Sequence, residues 1–337
     1  MVSKLRRRAL LVCLFVATAS DASPLFDDDH ILEIRLTGPL TSVVRDTRHR
    51  KERPFTITVD GVTTDVHIRV RGNSRVRLCR FPPLRINFPE SANTPALFAG
   101  LDKVKFVTHC NTGSRGSGTN VLNEYLAYRI FGLLADQGLR VRLLRVSYVD
   151  TDGKMKKLDE QYYGFLIEPI DRLAERLDGE VQKVDGVPNT GLVSHGAALL
   201  NVFQYLIGNS DWSFVTAEGE EHCCHNIELL RSGTDWVLVP YDFDLAGLVG
   251  AKYRSGLNVN QTRRRVYGGY CKTPPGKMAA ALEAVGELEG EIIALAREVP
   301  STDDKSARRR IEYLEKFFAL DHDDLLRVFD RYCQGPR

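Results

Sequence analysis

The sequence predicts a two-lobed α+β fold, with a β-rich N-terminal lobe over residues 24–168 and a mainly helical C-terminal lobe over residues 169–337. Three observations carry this reading. The runs Ile31-Leu32-Glu33-Ile34-Arg35-Leu36 and Val66-His67-Ile68-Arg69-Val70 alternate with the two-residue period of half-buried strands. Beyond Pro169 the apolar residues shift to helical spacing, in segments near 171–177, 197–207, 276–297 and 303–332. The chain of 337 residues is 43% hydrophobic and 27% charged, enough to bury a real core and unlike a disordered chain.

Further strands are expected over 84–88, 103–108, 140–149 and 162–168. Asp150-Thr151-Asp152-Gly153 supplies turn residues between the last two, which predicts a hairpin. One helix interrupts the β-rich half, with Val121, Leu122, Tyr125, Leu126, Ile130, Leu133 and Leu134 at spacings of three and four and an N-cap at Thr119 or Asn120. Glu124 sits at the margin of that apolar stripe. A second hairpin is expected from 225–231 and 236–239, turning at Ser232-Gly233. The chain shows no internal repeat, so both halves are expected in one compact unit.

Lys4, Arg6, Arg7 and Arg8 precede an apolar run from Ala9 to Ala17 and then Ala17-Thr18-Ala19, the pattern of a signal peptide over residues 1–19. The run is about half the roughly 20 residues a bilayer span needs. Cleavage after Ala19 leaves 42 Lys plus Arg against 44 Asp plus Glu, so no global charge for nucleic acid remains; Arg263, Arg264 and Arg265 form a local basic cluster. The expectation is an exported protein without a membrane span, in the periplasm or outside the cell.

Seven cysteines become six once Cys13 is removed, an even number suited to disulfides in an oxidising compartment. Cys79 and Cys110, at the ends of expected strands, are one candidate pair. A bridge between the neighbours Cys223 and Cys224 would be strained, so each is expected to seek a distant partner such as Cys271; Cys333 completes the set. His222-Cys223-Cys224-His225 does not suit zinc, because four consecutive residues cannot wrap one tetrahedral ion. A serine hydrolase has no support either, since no Gly-x-Ser-x-Gly elbow is present.

The chemistry concentrates in Gly208-Asn209-Ser210-Asp211, then His225-Asn226, then Tyr241-Asp242-Phe243-Asp244. Phosphoryl transfer needs hard oxygen ligands for Mg²⁺ and a carboxylate to take the proton of the attacking hydroxyl. This series resembles the CotH-like kinase family and, more distantly, HipA-like kinases. Arg71-Gly72-Asn73-Ser74 is similar to that family's Arg-Gly-x-Ser segment, and Tyr163-Gly164-Phe165-Leu166-Ile167-Glu168 to its hinge strand; together the likeness spans residues 60–250. The resemblance implies a protein-kinase-like fold, ATP with Mg²⁺ or Mn²⁺, and a protein substrate. It makes Asp211 the catalytic aspartate and Asn226 and Asp242 metal ligands, with Asp244 either supporting Asp242 or binding a second metal ion. It puts Arg71, Gly72, Asn73, Ser74, Arg85, Lys105, Glu124 and Glu168 at the nucleotide. Arg85 stands where the family tends to have lysine; Lys105 is the other candidate, and Glu124 is expected to pair with one of them. The alternative is a catalytically inactive exported pseudokinase that acts as a binding or structural module.

Overall fold

The computed structural model describes residues 24–89, 94–111, 115–155, 158, 161–214, 223–251 and 265–334. The expected signal peptide, Arg263 and Arg264, His222 and parts of two expected loops lie outside the described residues.

Alternating burial in β1 (Leu32–Gly38), β2 (Arg53–Val59) and β3 (Val62–Val70) sends one face of each strand inward, where Ile34, Leu36, Phe55, Ile57, Val66 and Ile68 meet. β4 (Leu84–Asn87) and β5 (Lys103–Val107) continue the antiparallel order from β3. β6 (Val141–Asp150) and β7 (Tyr162–Ile167) are the expected hairpin. β7 then pairs with β5, and β6 runs parallel to β1, so the strands close into a barrel in the order β1-β2-β3-β4-β5-β7-β6. Gly164 permits the β5–β7 approach, since a Cβ there would stand 2.5 Å from the Phe106 ring and 2.9 Å from the Val107 carbonyl oxygen.

That closure overturns the two-lobed, protein-kinase-like expectation. The architecture is mixed α/β, a closed seven-stranded barrel with ten α-helices among the described residues. A closed barrel leaves no sheet edge. The C-terminal half is not purely helical, because β8 (Gly179–Gln182), β9 (Ile227–Ser232) and β10 (Asp235–Pro240) form a separate three-stranded sheet.

α1 (Leu40–Arg45) follows β1, and α2 (Ser74–Leu78) follows β3. The helix α3 (Arg115–Leu134) begins a turn before the expected cap; Thr119 bonds the Thr302 hydroxyl at 2.5 Å instead. One continuous apolar core joins α3 to the outer side of β7 and to α6 (His195–Ile207), apart from the core inside the barrel. α4 (Ile170–Arg176) and α5 (Asn189–Leu192) precede α6, while α7 (Pro275–Glu287), α8 (Glu289–Glu298), α9 (Asp304–Phe318) and α10 (His322–Tyr332) complete the chain. The two long helices expected over 276–297 and 303–332 are each broken into a pair.

Three disulfides are present: Cys79–Cys110, Cys223–Cys224 and Cys271–Cys333. The first is the expected pair. The distant partner expected for Cys223 or Cys224 is corrected, because Cys271 is taken by Cys333 at the end of α10, leaving the neighbours to bridge each other. Among the described residues no helix is long and apolar enough to cross a membrane.

Candidate functional site

The site forms where one end of the barrel meets α3 and the β9–β10 hairpin. Leaving β3, the chain turns through Gly72, whose φ of +94° suits glycine, and enters the short α2. This brings Arg71, Gly72, Asn73 and Ser74 to a narrow cleft that Lys105 of β5, Glu124 and Tyr128 of α3, and Tyr241 and Asp242 also line. The enclosed part of the cleft is small, about 30 Å³, room for about two waters. The Cys79–Cys110 bridge joins the residue after α2 to the loop after β5, fixing Arg71 and Lys105 on neighbouring walls.

The register Pro240↔Ile227 places Asn226 across from Tyr241, whose N–H donates to the Asn226 carbonyl at 3.1 Å. Asn226 and Asp242 both have left-handed backbone, at φ +55° and +58°. Asn and Asp tolerate that region better than other non-glycine residues, and such conformations concentrate at functional sites. The extended backbone of β10 is therefore broken at Asp242. Asp242 is fixed by its N–H, which donates to the Tyr128 hydroxyl at 2.9 Å.

Asp211 lies past the end of α6. Ser194 caps the start of that helix by accepting the Ala197 N–H, Gly208 ends it in a left-handed cap, and Asn209 accepts the Asp211 N–H at 3.0 Å. The Asn226 amide donates to Asp211 Oδ2 at 3.0 Å, and His225 Nε2 stands 3.3 Å from Oδ1. Asp211 and Asn226 thus form one unit, and the Asp211 charge is felt at Asp242.

At the base of the site lies Arg75, with only 7% of its side chain exposed. Its Nε donates to Asp244 and its Nη2 to Glu124, each at 2.6 Å, and Asp242 is 3.5 Å away. Glu124 therefore pairs with Arg75, not with Arg85 or Lys105 as expected. Its carboxyl is pushed up to about 8, by burial first, with Arg75 opposing. Asp242 is also held above the usual carboxylate range by burial and then the Asp244 charge, although 47% of its side chain is open to the cleft. The ammonium of Lys105 is lowered by burial and by the Arg71 guanidinium, and lies 4.9 Å from the Tyr241 ring centroid.

Two expected nucleotide contacts lie elsewhere. Arg85 faces Lys105 across the β4–β5 ladder but does not line the cleft. Glu168 is buried under Arg176, at 3.1 Å, and accepts the Arg140 N–H at 3.0 Å, so it ties β7 to α4. The sequence reading gives no role to the side chains of Arg75, Tyr128 and Tyr241. Arg75 directly follows the Arg71-Gly72-Asn73-Ser74 run, and Tyr128 is one helical turn beyond Glu124, so their spacing held a usable signal.

Whether these residues suit a divalent ion turns on their donor atoms. Asp242 offers a carboxylate open to the cleft. Asn226 spends Nδ2 on Asp211, which leaves Oδ1 for a ligand. Among the described residues no group of three or more His, Cys, Asp or Glu forms a ready cage. Asp242 lines the cleft and Asn226 does not, so an Mg²⁺ or Mn²⁺ ion on Asp242 would take most of its ligands from phosphate and water.

A larger cavity of about 630 Å³ lies beyond Tyr128, the one residue it shares with the cleft. Its arginines Arg129, Arg140 and Arg176 are paired with Asp29, Asp27 and Glu168, and none of the predicted site residues lines it. The chain matches no protein-family model and no curated protein, so the likeness to CotH-like kinases rests on its motif residues alone.

Proposed function

We propose that this protein is an exported phosphotransferase that moves phosphate from ATP to a hydroxyl of a secreted or envelope protein. The observation that carries the reading is the meeting of two half-buried cations, Arg71 and Lys105, with the open carboxylate of Asp242 in one narrow cleft. Arg71 and Lys105 bind phosphate oxygens, and the base and sugar of the nucleotide lie outside the narrow part of the cleft. Asp211 accepts the proton of the incoming hydroxyl, with Asn226 and His225 holding its carboxylate in orientation. A divalent ion held by Asp242 would neutralise charge on the phosphates. Three disulfides support an oxidising destination.

A second reading, an exported binding module without turnover, is favoured by the tight Arg75 clasp on Asp244 and by the small space. Calorimetry of ATP binding to the oxidised chain, with and without Mn²⁺, tests the first. Metal-dependent binding that is lost in Asp242→Ala supports it, and no binding to the wild type refutes it. Phosphate incorporation into a partner protein then rules out the second reading.

A further inference from the structure

Arg75 is buried between carboxylates that the sequence motif would assign to metal. Its guanidinium donates from two nitrogens, Nε to Asp244 and Nη2 to Glu124, both at 2.6 Å, with Asp242 Oδ1 at 3.5 Å from the same Nη2. Asp244 and Glu124 are themselves almost wholly buried. A planar fork with fixed donors matches two carboxylates in this way, whereas a lysine ammonium would not. Any divalent ion placed on Asp244 would have to share its oxygens with that guanidinium and stand beside a like charge. Asp242 differs, because nearly half its side chain opens to the cleft and its contact with Arg75 is long.

We infer that Arg75 is a built-in cation that permanently occupies the Asp244 side of the site, so the chain takes one divalent ion, on Asp242, and not two. Asp244 is a positioning residue: it holds Arg75, which in turn braces Glu124 of α3 and the α2 turn that carries Arg71. This rests on the phosphotransferase reading, and it names the cation requirement of that same site. The ion count is thus set by a protein side chain and does not rise with metal concentration.

The test is a titration of Mn²⁺ alone into the oxidised chain, with free Mn²⁺ counted by electron paramagnetic resonance. The wild type is expected to bind one ion. Asp242→Asn is expected to weaken that binding 100-fold or more, while Asp244→Asn leaves count and affinity within about threefold. Arg75→Met, which removes the cation from Asp244 and Glu124 so that a second ion can take its place, is expected to raise the count to two, and Arg75→Lys to keep it at one. Equal losses in Asp242→Asn and Asp244→Asn, or two ions in the wild type, overturn this inference and leave the phosphotransferase reading standing. No Mn²⁺ binding to the wild type overturns both. Should Arg75→Met fail to fold, as judged by circular dichroism, the contrast between the two aspartate variants decides alone.

Discussion

The Tyr128 hydroxyl accepts the backbone N–H of Asp242 at 2.9 Å, linking the middle of α3 to the turn that ends β10. The phenol is buried, and burial raises its pKa well above the ordinary tyrosine value, so it remains a neutral hydroxyl across the physiological range. Its loss in Tyr128→Phe leaves a main-chain donor without its partner next to a strained residue. The expected cost is about 1–3 kcal/mol in urea unfolding, with weaker Mn²⁺ binding as a second effect. Unchanged stability and unchanged binding would mean that the turn holds itself.

In the proposed reaction Asp211 takes the proton of the incoming hydroxyl and does not hold nucleotide. In Asp211→Asn, ATP binding should stay within about twofold while phosphate transfer falls roughly 10²–10⁴-fold. Parallel calorimetry and transfer assays check this. A matching loss of ATP binding would move Asp211 from proton transfer to ligand binding.

Removing Arg75 tests how the buried charges depend on one another. Arg75→Ala leaves Glu124 and Asp244 buried without their cation, and should cost about 3–5 kcal/mol by urea denaturation. The paired change Arg75→Met with Glu124→Gln should recover part of this loss, because fewer charges are then left uncompensated.

The disulfides should rank by the chain they enclose. Cys271–Cys333 spans 62 residues and Cys79–Cys110 spans 31, so removing each bridge by Cys→Ser should cost about 4 kcal/mol in the loop-entropy picture, slightly more for the longer loop. Cys223–Cys224 closes no loop, and Cys223→Ser with Cys224→Ser should shift the melting temperature least. Differential scanning calorimetry of the three double variants measures the order.

His109 gives the fold a pH dependence. Its ring is buried against Phe81 and Tyr162, with centroids at 4.4 and 4.2 Å, and neither nitrogen has a hydrogen-bond partner among the described residues. Burial lowers its pKa from 6.5 to about 3. The unfolded chain thus binds a proton that the folded chain refuses, so His109 supports folding fully above pH 6.5 and loses that support as the pH falls toward about 3. His109→Phe should flatten the stability profile across that window, measured by urea denaturation at fixed pH steps. An unchanged slope would place the titration elsewhere.

Local patterns in the sequence were a good guide to individual elements. Alternation marked β1 and β3, Asp150 to Gly153 marked the β6–β7 hairpin, and Ser232-Gly233 marked the β9–β10 turn. What local pattern cannot carry is who pairs with whom over distance. Closure depends on β1 meeting β6 and β5 meeting β7 across the inserted α3, and the same alternating strands would equally serve an open sheet. The site divides in the same way. Arg71, Gly72, Asn73, Ser74, Lys105, Glu124 and Asp242 do converge, yet the role of the Arg75 side chain shows only in the three carboxylates that distant parts of the chain bring around it. Glu168 failed as a site residue because its partner, Arg176, comes from the following helix.

The parallel seam between β1 and β6 sets a schedule for biogenesis. Leu32 pairs with Leu144, more than 100 residues later, so a chain delivered N-terminus first presents β1 long before its second neighbour exists. During that interval one edge of β1 is bare and Ile34 and Leu36 lack their inner cover, the state in which strands recruit wrong partners. Slow delivery would lengthen this exposure. Chaperone dependence should therefore peak before β6 emerges and fall once the seam has zipped shut.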